Sequence, residues 1–229
     1  MFWKTQGKGQ RQTMILIPTK GPDDWKHLLA DPDLHWEAGY SAYALAHRWE
    51  EAKGFPSEIK EALESVPALE DVELLLAIPE YKVSLPGGVT ASQNDIFCLA
   101  RNRYGLVSIM IEGKVNEPFG PLVRDWYADP SPGKVKRLGF LCRTLGLDPD
   151  QVQDVRYQLL HRTASAIMEA KRFKALTAAM LVHSFSPTYN WFEDYAAFAD
   201  LFGIYTSMDQ VHSAGKIEGI HLYLSWIKG

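Results

Sequence analysis

Cysteine is scarce in this chain of 229 residues, with only Cys98 and Cys142 present. Two thiols cannot build a cysteine zinc cage or a disulfide framework, and Cys98 lies inside an apolar run where a buried thiol is expected. Long hydrophobic stretches are missing as well, since no run approaches the ~20 residues of a membrane helix. The opening segment, MFWKTQGKGQRQTMILIPTK, has basic residues but neither the apolar segment nor the small-residue cleavage site of a signal peptide. The expectation is a cytoplasmic protein with no membrane partner. An excess of positive charge is also lacking, because 24 Lys and Arg face 28 Asp and Glu for a net charge of −4. That balance counts against non-specific duplex binding as the main work. It leaves room for a nuclease, whose metal-binding carboxylates add negative charge beside a local basic patch. Gly87-Gly88 has neither the Walker A nor the G-x-G-x-x-G spacing, so SLPGGVTAS reads as a loop leading the chain towards Asp95 and bordering a cleft. No G-x-S-x-G elbow surrounds His183-Ser184, and neighbouring strand residues face opposite ways, which disfavours a Ser/His nucleophile.

What the chain does have is an ordinary globular mix, 46% hydrophobic and 23% charged, at a length that suits one domain. The pattern GPDDWKHLLADP reads as a short helix, and residues 36–53 as a longer one stopped by Gly54. PSEIKEALESV reads as a third helix. Strands are expected near 72–84, 94–101 and 105–115, followed by helices in GPLVRDWYAD and GKVKRLGFLCRTLGL. The longest helix is expected over 150–172, opening on Asp148-Pro149-Asp150, with a buried strand over 175–185. NWFEDYAAFADLFG reads as a helix and IEGIHLYLSWIKG as a last strand. Helices covering both faces of one mixed sheet, a three-layer α/β/α sandwich, bury this order of elements.

The stretch SQNDIFCLARNRYGLVSIMIEGKV carries the chemistry. It reads as two apolar strands joined by a polar turn, with Asp95, Glu112 and Lys114 near their ends. A turn centred on Asn102-Arg103-Tyr104-Gly105 puts Arg101 across from Leu106. Counting outward, Asp95 then stands directly opposite Glu112, with Cβ atoms about 4.5–5.5 Å apart. Like charges so placed destabilise a sheet unless a cation lies between them. Mg²⁺ and Mn²⁺ prefer oxygen ligands, and one or two carboxylates with water and phosphate oxygens are typical for Mg²⁺. Lys114 lies two residues beyond Glu112 and points to the same face.

Asn94-Asp95 followed, after a strand and turn, by Glu112-Gly113-Lys114 resembles the PD-(D/E)xK phosphodiesterase superfamily, the restriction-endonuclease-like proteins. Asn94 stands where that motif has proline. The resemblance spans about residues 35–187, with N- and C-terminal additions around a single domain over 1–229. It implies a restriction-endonuclease-like α/β/α fold and hydrolysis of nucleic acid, DNA ahead of RNA, with Mg²⁺ or Mn²⁺. Asp95 and Glu112 would be metal ligands and Lys114 the catalytic lysine. Glu37, with Glu50 behind it, would be an added acid from the first core helix, and Gln158 a polar participant on the helix after the third strand. The resemblance also allows a homodimer that cuts two strands.

Plainer readings accompany these. A Glu/Lys pair on an exposed hairpin edge needs no function, though the flanks IFCLA and LVSIMI are apolar throughout, as in central strands. Glu37 in a first helical turn can simply meet the helix dipole. Gln158, His161 and Arg162 sit together on the long helix, where Arg162 could hold a phosphate and a solvated polar face is the plainer reading, and His183 is expected as a satisfied buried histidine. The same sandwich without metal chemistry would be an inactive domain acting as an interaction protein.

Overall fold

In a computed structural model of the chain, the structure describes residues 19–29, 33 and 36–229. The expectation drawn from the first twenty residues therefore lies almost wholly outside the described part. Six strands form one mixed sheet in the order β1-β2-β3-β4-β6-β5: β1 Glu73–Val83, β2 Ser92–Asn102, β3 Gly105–Lys114, β4 Thr177–Ser184, β5 Val211–Ile217 and β6 Ile220–Lys228. β1, β2 and β3 run antiparallel, β4 joins β3 in parallel, and β6 joins β4 in parallel. β5 closes the edge as the antiparallel partner of β6.

Among the described residues six α-helices cover the sheet: α1 Ser41–Ala52, α2 Ser57–Glu64, α3 Val123–Trp126, α4 Pro132–Leu145, α5 Tyr157–Phe173 and α6 Phe192–Asp200. The period-two alternation of the strands divides the core in two. Ile96, Cys98, Ala100, Ile109 and Ile111 pack with Trp49 of α1 and Leu63 of α2. Phe97, Leu99, Met110 and Val182 face the other way and pack with α4, α5 and α6. Both faces are covered, which is why β2 and β3 are apolar throughout. The expected α/β sandwich is the fold. Both cysteines are free and buried, and no helix among the described residues is long and apolar enough to cross a membrane.

Several boundaries shift for local reasons. The segment Pro22–Leu28 is a 3-10 helix, Pro22 standing in its first turn. The first long helix begins at Ser41 rather than residue 36, leaving Glu37 in the turn before it. The long helix begins at Tyr157, because the stretch up to Arg156 folds as turns that bridge back to Leu122. The aromatic-rich segment after Pro187 forms α6, whose Tyr195 and Phe198 are buried and whose Tyr195 ring lies 5.8 Å from that of Trp226. Residues beyond 187, expected as an addition to the core, supply β5 and β6. β6 is an inner strand.

The glycine-rich loop has a different job from the one expected. The guanidinium of Arg137 on α4 donates to the carbonyl oxygens of Leu85, Pro86, Gly88 and Thr90, tying the loop to α4. None of those loop residues lines the cavity described next.

Candidate active site

The hairpin register decides where the charged groups stand. Asn102 pairs with Gly105, Arg101 with Leu106, and the ladder runs unbroken to Ile96 opposite Ile111. Asp95 and Glu112 are the next residues along. There the ladder gives way to a side-chain contact, the backbone N–H of Gly113 donating to Asp95 Oδ2 at 2.8 Å. Both carboxyl groups belong to the α5 face, in line with Phe97 and Met110. The β1–β2 register adds a third acid. Pro79 pairs with Ile96 and Tyr81 with Asn94, so the position between them, Glu80, falls opposite Asp95. Glu80, Asp95 and Glu112 thus form a row across three neighbouring strands. All three line one cavity of about 350 Å³, together with Lys114, Gln158 and Arg162.

The glycine of the EGK triplet has a packing reason. Its side-chain direction points at α1, and an added Cβ would sit 2.4 Å from Leu45 Cδ1 and 2.9 Å from Ser41 Cβ. Only a residue without Cβ lets α1 lie this close to β3. That approach brings the N-terminal end of α1 to the cavity rim, where the backbone N–H of Ser41 donates to Glu117 Oε1 at 3.0 Å. Opposite, α5 is fastened to β3 by Ser108 Oγ, which donates to the carbonyl oxygen of Ala166. The same helix delivers Gln158 and Arg162, one turn apart.

Lys114 Nζ donates to Glu112 Oε1 at 2.7 Å and lies 4.7 Å from the centre of the Phe119 ring. Arg162 Nε donates to Glu112 Oε2 at 2.5 Å, and its terminal nitrogen stands 3.6 Å from Asp95 Oδ1. Glu112, Lys114 and Arg162 are all buried. Arg162 therefore does not lie on a solvated face, as its polar neighbours had led us to expect. It is the guanidinium between the two carboxylates. His161 is also engaged, Nδ1 standing 2.8 Å from Ser92 Oγ. The overlooked signal was the run Leu159-Leu160 beside Ala164 and Ile167, which buries that side of α5.

The acids divide electrostatically. Burial alone would push Glu112 up, but Arg162 and Lys114 outweigh it and hold the carboxyl below its usual range. Asp95 goes the other way, driven well up by burial and then by the charge of Glu112, against the smaller pull of Arg162. Glu80 is pushed up to about 7 by burial, opposed by a hydrogen bond from Gln93 Nε2. Its backbone is left-handed, φ 52°, a conformation that side-chain-bearing residues seldom adopt. Burial thus pushes two of the three neighbouring carboxyls towards the protonated form. The row is short of positive charge.

Asp95 and Glu112 are the oxygen donors of the pair, and each already has protein partners. Among the described residues no group of three or more His, Cys, Asp or Glu side chains stands ready to ligate a metal. Two facing carboxylates with water completing the shell are what Mg²⁺ ordinarily accepts. The residues expected from the sequence fall into two groups. Asp95, Glu112, Lys114 and Gln158 are brought to one cavity, whereas Glu37 is exposed and is not among the residues lining it. Glu50 accepts hydrogen bonds from Thr19 Oγ1 and Trp25 Nε1, fastening the 3-10 helix to α1. His183 is satisfied within the core, as expected. Trp49 Nε1 donates to its Nδ1 at 3.3 Å, and its Nε2 lies 3.0 Å from Glu58 Oε1.

A family model described as "Domain of unknown function (DUF6946)" matches residues 18–229. No curated protein and no solved structure matches the chain.

Proposed function

The chain belongs to the DUF6946 family, and from its geometry we propose that it is a metal-dependent phosphodiesterase of the restriction-endonuclease-like kind, acting on nucleic acid. One observation carries the reading: Asp95 and Glu112 face each other at the end of a buried hairpin, with Lys114 Nζ 2.7 Å from Glu112, inside a cavity. Asp95 and Glu112 would hold Mg²⁺ or Mn²⁺. A divalent ion there supplies Lewis acidity to a phosphoryl group. Lys114, fixed by Glu112 and by the Phe119 ring, orients the attacking water and counters charge building on the phosphate. Gln158 lines the same cavity, where its amide can hydrogen-bond the water or a phosphate oxygen. Arg162 adds a second positive group for the anionic substrate. DNA is the first polymer to test and RNA the second, and a dimer would suit a double-strand cut.

A second reading, an inactive domain that binds partners, is favoured by Arg162, which already supplies a cation to both carboxylates. Cleavage of DNA and RNA in the presence of Mn²⁺, run beside Lys114→Ala, separates the two. Mn²⁺-dependent cutting lost by at least ~10²-fold in the variant supports the enzyme. No cutting of either polymer, together with no Mn²⁺ binding by calorimetry, supports the interaction protein.

A further inference from the structure

Arg162 stands between the two acids that the metal-dependent reading assigns as ligands. Its Nε is 2.5 Å from Glu112 Oε2 and its guanidinium is 3.6 Å from Asp95 Oδ1, so one side chain bridges the two acids that define the hairpin end. Lys114 takes the other oxygen of Glu112, and the Gly113 N–H takes the other oxygen of Asp95. Every carboxylate oxygen in the pair is engaged. A cation entering from the cavity must therefore displace something, and the four contacts differ in how readily they yield. Gly113 N–H is backbone in β3, held by the parallel ladder to β4, and cannot move without breaking the sheet. Lys114 is on the same strand, two residues from Glu112, under the Phe119 ring. Arg162 hangs on a long side chain from α5, beside about 350 Å³ of open cavity lined also by Gln158. It is the contact that reaches the pair from a separate element, across the cavity from β3.

Resting on the metal-dependent reading above, we infer that Arg162 is a tethered competitor for the divalent ion: it closes the Asp95–Glu112 pair in the metal-free protein, and metal entry releases its guanidinium into the cavity to grip a phosphate. A planar guanidinium matches two carboxylate oxygens or two phosphate oxygens with the same fork, so the exchange of partners costs it little. Metal and substrate phosphate then assist each other, because the phosphate gives the released Arg162 a new partner. A bare Glu112 without Arg162 would also repel Asp95, so the arginine keeps the empty site folded.

Two measurements on the full chain test this. Calorimetric titration with Mn²⁺ should show Arg162→Gln binding about tenfold more tightly than wild type, about 1.4 kcal/mol. A purely structural role for Arg162 predicts the opposite, since a disordered carboxylate pair binds more weakly. In the wild-type protein, the side-chain Nε–Hε resonance of Arg162 should shift on saturation with diamagnetic Mg²⁺ and exchange faster with water. Equal or weaker Mn²⁺ affinity in a folded Arg162→Gln overturns the inference. An unmoved Arg162 resonance beside shifted Asp95 and Glu112 amides overturns it too, and leaves the metal-dependent reading standing. No shift at any of the three, with no Mn²⁺ heat in either protein, overturns both.

Discussion

Glu80→Gln isolates the cost of burying a third acid in the row. Folded Glu80 keeps its proton up to about pH 7, whereas the same side chain in the unfolded chain releases it near 4.5. Across that window the folded state binds more protons than the unfolded state, so stability falls as pH rises. At ~1.36 kcal/mol per pH unit, the gap amounts to about 3 kcal/mol, fully felt above pH 7 and absent below pH 4. Glutamine keeps an acceptor oxygen for Gln93 Nε2 and removes the titration. The advantage of the variant over wild type should therefore grow from near zero at pH 4.5 to about 3 kcal/mol at pH 7.5. Urea denaturation of both proteins at half-unit pH steps, in the absence of divalent ions, measures it. A stability difference that stays flat across that range would refute the burial that drives Glu80 up.

Further expectations rest on other contacts. Gly113→Ala drives a methyl into Leu45 and Ser41 and should cost about 1–3 kcal/mol in denaturant unfolding. Phe97→Ala removes a buried ring stacked 4.7 Å from Tyr81 and 5.7 Å from Phe173, with an expected loss of about 3–5 kcal/mol in the same assay. Mn²⁺ affinity should rise as pH climbs through about 7, by up to about tenfold per pH unit for the proton that Glu80 releases beside a bound cation, and Asp95, also driven up by burial, adds to the rise. Calorimetry in two buffers of different ionisation enthalpy reads that release directly, and buffer-independent heats would contradict it.

The sandwich and the hairpin were legible because they rest on short-range rules. Alternating apolar residues set the faces, and the Asn102–Gly105 turn sets the register that brings Asp95 to Glu112. Glu80 was hidden because nothing near it in sequence signals a site. Its position depends on how β1 pairs with β2, and that ladder contains an irregularity between Leu74 and Leu76 that no periodicity announces. Arg162 was misjudged because it sits beside other polar residues on its helix. Only the pairing of α5 with β3 shows that this polar stripe is turned inward. Glu37 shows the same limit from the other side, since a shift of five residues in a helix start removes an acid from the helix altogether.

The inner position of β6 has a consequence for how the chain is made. β4 has a neighbour on one side only until Ile220–Lys228 arrives to fill the other. During synthesis the growing chain carries an open, apolar edge at Ala178–Val182 while all the residues of the charged cluster have already emerged. β6 is the bolt that shuts this edge. A nascent chain stalled before residue 220 should be sticky and short-lived, however complete its charged row.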